Sequence, residues 1–194
     1  MSWHGIEVAM VWAQDTAGAI GVKGGIPWYV PEDFARFKEL TLGAAVIMGR
    51  ATWDSLPERS RPLPGRHNIV ISRNTLASAP GADVVGSVEQ ALEHASSFQP
   101  EDGAPTIWII GGGQIYRQAL AFADRLEVTV MDTRIAGAGA DAFAPVLGDD
   151  WAGTQPSVEQ DWHTSRTGMR FTFLTYRRVD TGSVDVPAAT RADR

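Results

Sequence analysis

Thr106-Ile107-Trp108-Ile109-Ile110-Gly111-Gly112-Gly113-Gln114-Ile115-Tyr116 is the stretch on which the fold turns. Its first five residues are apolar or β-branched without alternation, the pattern of a strand buried on both faces. Three glycines break the run, and Gly113–Phe122 resumes with helical spacing. A doubly buried strand followed by a helix implies a parallel sheet with helices on each side. Working outward, similar strand-like runs recur at Ile6–Ala13, Ala44–Met48, Asn68–Ser72, Asp83–Val85, Leu126–Met131 and Arg170–Tyr176. Helical patterns fall between them at Pro31–Leu42, Ala51–Leu56 and Ser87–Ser97. The last opens with Ser87 and Gln90 in capping-box spacing. No clear helix separates the final two runs, so an antiparallel edge is expected there. Pro57–Pro64, Gln99–Pro105 and Ala136–Asp141 read as surface loops. Beyond about Arg178 no apolar face recurs, so 1–178 reads as one domain and 179–194 as a loose, disordered tail.

Composition narrows the function classes. The chain has 194 residues, 44% of them hydrophobic, and 17 Lys+Arg against 23 Asp+Glu, for a net charge of -6. That balance disfavours nucleic acid and anionic membranes as partners. The absence of cysteine removes disulfides, thiol catalysis and cysteine-zinc sites. His4, His67, His94 and His163 are scattered along the chain, so no metal site is expected. No run reaches the ~20 apolar residues of a membrane span. Met1-Ser2-Trp3-His4-Gly5 resembles no signal peptide, which points to the cytoplasm.

The first candidate for chemistry is Asp33. At about 100° per residue, Asp33, Phe37 and Leu40 share a stripe beside Phe34, while Glu32, Arg36 and Glu39 are expected to point elsewhere. An acid on an apolar face is costly unless satisfied. It either complements the free N–H groups of the first helical turn or faces a pocket that takes paired N–H donors. The segment Gly21-Val22-Lys23-Gly24-Gly25-Ile26-Pro27-Trp28 reads either as a closing lid or as a plain loop anchored by Trp28.

Three strand ends form the second group. Gly49-Arg50-Ala51-Thr52, Ser72-Arg73 and Gly111-Gly112-Gly113 each follow a strand, and two of them open helices. Such ends offer N–H groups, hydroxyls and cations to phosphate, although solvated arginines and tight turns explain each one singly. The glycine triplet lacks the last Gly of a Rossmann fingerprint and comes past mid-chain. Neither a Gly-x-Ser-x-Gly elbow, a P-loop nor a His-Glu-x-x-His motif occurs.

Taken together, these motifs resemble the dihydrofolate reductase family, with features similar to its actinobacterial members. The resemblance rests on Val11-Trp12-Ala13-Gln14-Asp15, Ile20-Gly21, Ile26-Pro27-Trp28 and Pro31-Glu32-Asp33. It continues through Val46-Ile47-Met48-Gly49-Arg50-x-Thr52-Trp53, Arg61-Pro62-Leu63-Pro64-Gly65-Arg66-x-Asn68 and Ile109–Tyr116. Order and spacing match from about Ile6 to Arg177. The resemblance implies an α/β fold with a central, mostly parallel, eight-stranded sheet, an antiparallel C-terminal edge and about four helices. It implies reduction of dihydrofolate with NADPH by a monomer, and antifolates as inhibitors.

It also implies residue roles. Asp33, Trp28 and Thr129 match the catalytic group, with Asp33 binding the pterin 2-amino group and N3 and promoting protonation at N5. Trp12, Ala13, Phe34, Phe37, Leu56, Leu63 and Ile110 match positions lining the substrate pocket. Arg66 matches the arginine that pairs with the α-carboxylate of the folate glutamate. Ala13, Ile20, Gly21, Gly49, Arg50, Ala51, Thr52, Ser72, Arg73, Gly111, Gly112, Gly113, Gln114, Ile115 and Tyr116 match the cofactor site. The Gly111–Gly112 bond corresponds to one typically cis.

Three departures stand out: an insertion at Pro57-Glu58-Arg59-Ser60, Val30 in place of leucine, and Asp141-Ala142-Phe143-Ala144-Pro145 without the usual threonine. Two alternatives remain, namely the related pyrimidine reductase of riboflavin biosynthesis and a folate- or nucleotide-binding protein without turnover. The acidic average also conceals a basic stretch. From Gly49 to Arg73 there are five arginines (50, 59, 61, 66 and 73) against Asp54 and Glu58.

Overall fold

The computed structural model describes residues 2–74, 76–98, 100, 105–135, 139–153 and 162–179. The expected tail from 180 onward lies outside the described residues, as does most of the expected loop Gln99–Pro105. The elements are β1 (Glu7–Asp15), β2 (Ala19–Val22), α1 (Pro31–Thr41), β3 (Ala45–Gly49), α2 (Arg50–Ser55), β4 (His67–Ile71), β5 (Asp83–Val85) and α3 (Val88–Ser96). Then come β6 (Thr106–Ile109), α4 (Gly113–Ala119), β7 (Arg125–Met131), β8 (Ala140–Phe143), β9 (Trp151–Gly153), β10 (His163–Thr164) and β11 (Arg170–Arg178).

The main sheet runs β10-β11-β7-β1-β6-β3-β4-β5, and β9 also pairs with β11. Neighbours from β7 to β5 are all parallel, while β11 is antiparallel to β7. The eight strands of that path, the antiparallel edge and the four helices agree with the expected fold, and β9 adds a ninth strand beside β11. In β1, Val8, Met10 and Trp12 enter the core under α3 and α4, whereas Ala9 and Val11 face the core that holds Phe37, Leu40 and Trp53. Period-two alternation on a sheet covered on both sides gives both sets of side chains an apolar neighbour.

Local signals explain the helices. Pro31 occupies the first turn of α1, where its missing N–H costs nothing. Ser87 Oγ accepts from Gln90 N at 3.2 Å, capping α3, and the Gln90 side chain accepts from Gly86 N at 2.9 Å. The reciprocal bond of the capping box thus falls one residue earlier than the usual pattern.

Four short strands went unread in the sequence. β2 pairs with β8 as a separate two-stranded sheet, so part of the expected loop Ala136–Asp141 is strand, and Gly21 lies within β2. The Gly-rich segment is correspondingly a tight turn. Val22 and Gly25 exchange backbone hydrogen bonds at 2.9 and 3.0 Å across Lys23 and Gly24, both at positive φ. Strands of two to four residues carry too little periodicity to be recognised.

Candidate active site

The chain leaves β1, moves outward through β3, β4 and β5, then returns to insert β6 between β1 and β3. A crevice forms at the carboxyl ends of strands where the winding reverses, and ligands of open α/β sheets gather there. Asp33 sits above it in the first turn of α1. Its Oδ1 accepts a hydrogen bond from Thr129 Oγ1 at 2.6 Å, and Thr129 pairs in register with Ala13 of β1.

Burial pushes the Asp33 carboxyl above the usual carboxylate range. The Thr129 hydrogen bond and the Arg36 charge pull the other way and only partly offset it. Tyr116 lies close enough to feel that charge. Burial first, and Asp33 second, hold its phenol well above its ordinary value. The neutral hydroxyl donates to the Val11 carbonyl at 2.6 Å, and the ring packs against Trp12. Its side chain therefore belongs to the core beneath the site.

The expectation that Arg36 points away from the buried stripe is corrected. Its guanidinium pairs with the buried carboxylate of Glu127 and lies 4.1 Å from the Phe173 ring centroid. Glu127 also accepts from Arg125 at 2.6 Å and Thr175 Oγ1 at 2.8 Å, and Arg125 continues to Glu7 at 2.7 Å. A cation on an apolar face is tolerated because strand β7 presents an acid opposite it. Removing this charge with Arg36→Met should move the Asp33 pKa further up. Its apparent value in a pH–rate profile checks this, and an unchanged or lowered value contradicts it.

Trp28 is buried against Val30, Met131 and Phe171, and its Nε1 has no hydrogen-bond partner among the described residues. Val30 itself is fully buried. An orphaned indole N–H calls for a water or a ligand atom. Asp15, which the sequence reading quoted only within a motif, anchors this region. Its carboxylate accepts from Ala17 N and Ala19 N at 2.8 Å each and from Ile135 N at 2.6 Å.

Two of the three strand ends meet directly. Gly49 N donates to Gly111 O at 2.7 Å, joining the ends of β3 and β6. The glycines permit this approach: a Cβ on Gly49 would lie 2.8 Å from Ile115 Cγ1, one on Gly113 2.7 Å from Phe143 O, and one on Gly112 3.3 Å from Thr52 Oγ1. Gly111 has φ +119°, and the Gly111–Gly112 bond is cis. Ile20 packs beside Gly113, Ile115 is buried, and Ala51 and Gln114 are exposed.

Neither α2 nor α4 carries a side-chain cap at its N-terminus, where Gly49 and Gly112 are the cap residues. Both helices are short, at six and seven residues, so their backbone N–H groups matter here more than any macrodipole. Arg50 is not free: Asp54 holds it at 2.9 and 3.0 Å, and Ser78 O accepts from it at 2.9 Å. Ser72 Oγ accepts from Asn74 N at 3.2 Å, and Arg73 is exposed at the end of β4.

The other wall of the cleft follows α1. Arg66 donates to Thr41 Oγ1 at 3.1 and 3.2 Å, to Pro64 O at 2.8 Å and to Lys38 O at 3.4 Å. All these acceptors are neutral, and burial lowers the pKa of the guanidinium. Such a cation is poised for an anion that the described residues do not supply. Phe37 lies beneath it, with its ring centroid 5.8 Å from the guanidinium. Leu63 is buried, and Leu56 and Ile110 are half-buried. Phe34, by contrast, is 46% exposed and faces Tyr29. A separate cavity of about 290 Å³ lined by Leu42, Ala45, Phe98 and Trp108 does not touch Asp33.

The Dihydrofolate reductase family profile matches residues 7–178. The chain is 47% identical over 171 residues to the dihydrofolate reductase of Mycobacterium tuberculosis, covering 88% of this chain and 98% of that protein. To the dihydrofolate reductase of Mycobacterium leprae it is 49% identical over 171 residues, with the same coverage. A solved Enterococcus faecalis dihydrofolate reductase, complexed with NADP(H) and RAB-propyl, superposes with a TM-score of 0.72. It shares 30% identity and covers 90% of this chain and 97% of that one. With the match spanning both walls of the cleft and every strand of the main sheet, the chain belongs to the dihydrofolate reductase family.

Proposed function

We propose that this protein reduces 7,8-dihydrofolate to 5,6,7,8-tetrahydrofolate, with NADPH as reductant, by hydride transfer to C6 and protonation at N5. The observation that carries the reading is the desolvated Asp33 carboxyl held by Thr129 above the sheet's switch point. Its two oxygens suit the paired N–H donors of a pterin edge. Its raised pKa keeps a proton available nearer neutrality than an ordinary carboxylate would. Thr129 fixes the carboxyl's orientation, and the unpartnered Trp28 indole N–H offers a place for a water. Arg66, held from behind by neutral acceptors, takes the α-carboxylate of the glutamate moiety. Phe34, Phe37, Leu56 and Leu63 give the intervening ring an apolar wall.

The second half of the cleft fits a dinucleotide. Uncapped N–H groups of α2 and α4, and glycines whose missing Cβ atoms leave backbone exposed, suit a pyrophosphate. NADPH, when bound there, supplies the hydride. Arg73 and Ser72 stand ready for the additional phosphate on the adenosine ribose, with Arg50 joining at the expense of its pair with Asp54. Arg73→Ala should therefore cut the preference for NADPH over NADH about tenfold or more. Comparing KM values for both cofactors checks this, and an unaltered ratio contradicts it.

Among the described residues no helix is long and apolar enough to cross a membrane. We assign the enzyme to the cytoplasm as a monomer, with antifolates as inhibitors occupying the Asp33 pocket. Consumption of NADPH upon addition of dihydrofolate, and not of a phosphoribosyl-aminopyrimidine, tests the substrate. The converse selectivity would favour the pyrimidine reductase reading.

A further inference from the structure

Histidines far apart in the sequence meet on one carboxylate at the sheet's outer edge. His67 opens β4, Asp83 opens the neighbouring edge strand β5, and His94 lies on α3, which packs against β4. His67 Nε2 is 2.9 Å and His94 Nε2 3.0 Å from the same Asp83 Oδ2. One ligand atom from each of the three residues lies within 4.8 Å of the other two. The sequence expectation of no metal site rested on scattered histidines, and the fold removes that objection for two of them.

The contacts are not ordinary hydrogen bonds. His67 Nε2 is buried and has no partner in hydrogen-bond geometry among the described residues, although Asp83 Oδ2 lies 2.9 Å away. A buried ring nitrogen without a partner is costly unless something else satisfies it. Phe98 stacks on the His67 ring with centroids 5.0 Å apart, fixing its plane. His94 is exposed and Asp83 half-buried, so an ion can enter from solvent and keep coordination positions open. Two imidazoles and one carboxylate form a donor set suited to borderline divalent transition metals. Tetrahedral zinc, with bonds of about 2.0–2.1 Å, separates its ligand atoms by about 3.3 Å. The two histidine–Asp83 separations need to open by only a few tenths of an ångström, and the third ligand atom pair lies within 4.8 Å.

We propose that His67, Asp83 and His94 form a three-ligand binding site for a divalent transition metal such as Zn²⁺, which clips the edge strand β5 to α3. The site is separate from the Asp33 cleft and stands independently of the proposed reaction. The nearby pair of His4 and Glu93, 3.1 Å apart, supplies the control.

The test is calorimetric titration of the chelator-treated full-length protein with Zn²⁺. One saturable equivalent is expected, weakened about tenfold or more by His94→Gln and by Asp83→Asn and left intact by His4→Ala. Zn²⁺ at hundredfold excess over Kd should raise the Tm of the wild type by about 5–10 °C, and that of His94→Gln by much less. Both ligand variants should retain wild-type NADPH-linked turnover without zinc, which shows that they fold. No saturable binding, undiminished binding in both ligand variants, or loss of binding in His4→Ala each overturns the proposal.

Discussion

Asp33→Asn should lower kcat/KM for dihydrofolate by about 10²–10⁴-fold, the usual contribution of a positioned acid–base group. The substitution preserves shape, and the amide oxygen can still accept from Thr129 Oγ1. It removes the ionisable proton and turns half of the acceptor pair into a donor facing the pterin edge. The same change should stabilise the fold. Because burial raises the folded-state pKa of Asp33, its contribution to stability is fully present below the unfolded-state value and is lost as pH rises through the folded one. The asparagine variant escapes that loss. Its advantage in denaturant unfolding should be larger at pH 8 than at pH 4. A variant that is fully active, or one whose stability gain shrinks toward alkaline pH, contradicts the assignment.

Arg66→Met should raise KM for dihydrofolate by about 10–150-fold, the worth of about 1.5–3 kcal/mol for hydrogen bonds to a charged group. The neutral acceptors on Thr41, Pro64 and Lys38 aim the guanidinium without neutralising it, so its charge is available to the substrate. The loss should fall on KM far more than on kcat, because the glutamate moiety lies remote from C6 and N5. A pterin lacking the glutamate should be used equally by wild type and variant. If the variant loses kcat instead, Arg66 acts on the geometry of α1 rather than on substrate charge.

How much of this was legible beforehand follows from where each signal lies. The doubly buried strand at Thr106–Ile109 and the Pro31 and Ser87 helix starts are local patterns, and their elements stand where the sequence indicates. β2, β8, β9 and β10 depend on partners distant in the chain, and no local periodicity announces them. Asp33 was visible as an acid on an apolar stripe, and Thr129 entered only through the family resemblance. Arg36 was misread because helical geometry assigns a face but not the charge on the opposing strand, here Glu127. The scattered spacing of the histidines concealed the cluster at Asp83, since the winding of β4, β5 and α3 brings them together.

Proton supply from the desolvated Asp33 carboxyl is the step on which the proposed reduction rests. The measurement that tests it most directly is NADPH consumption at saturating dihydrofolate from about pH 5 to 9, for wild type and Asp33→Asn. The account predicts a wild-type rate falling toward tenfold per pH unit above a midpoint higher than an ordinary carboxylate's, and a slow, flat profile for the variant. A flat wild-type profile, or the same decline in both proteins, would contradict it.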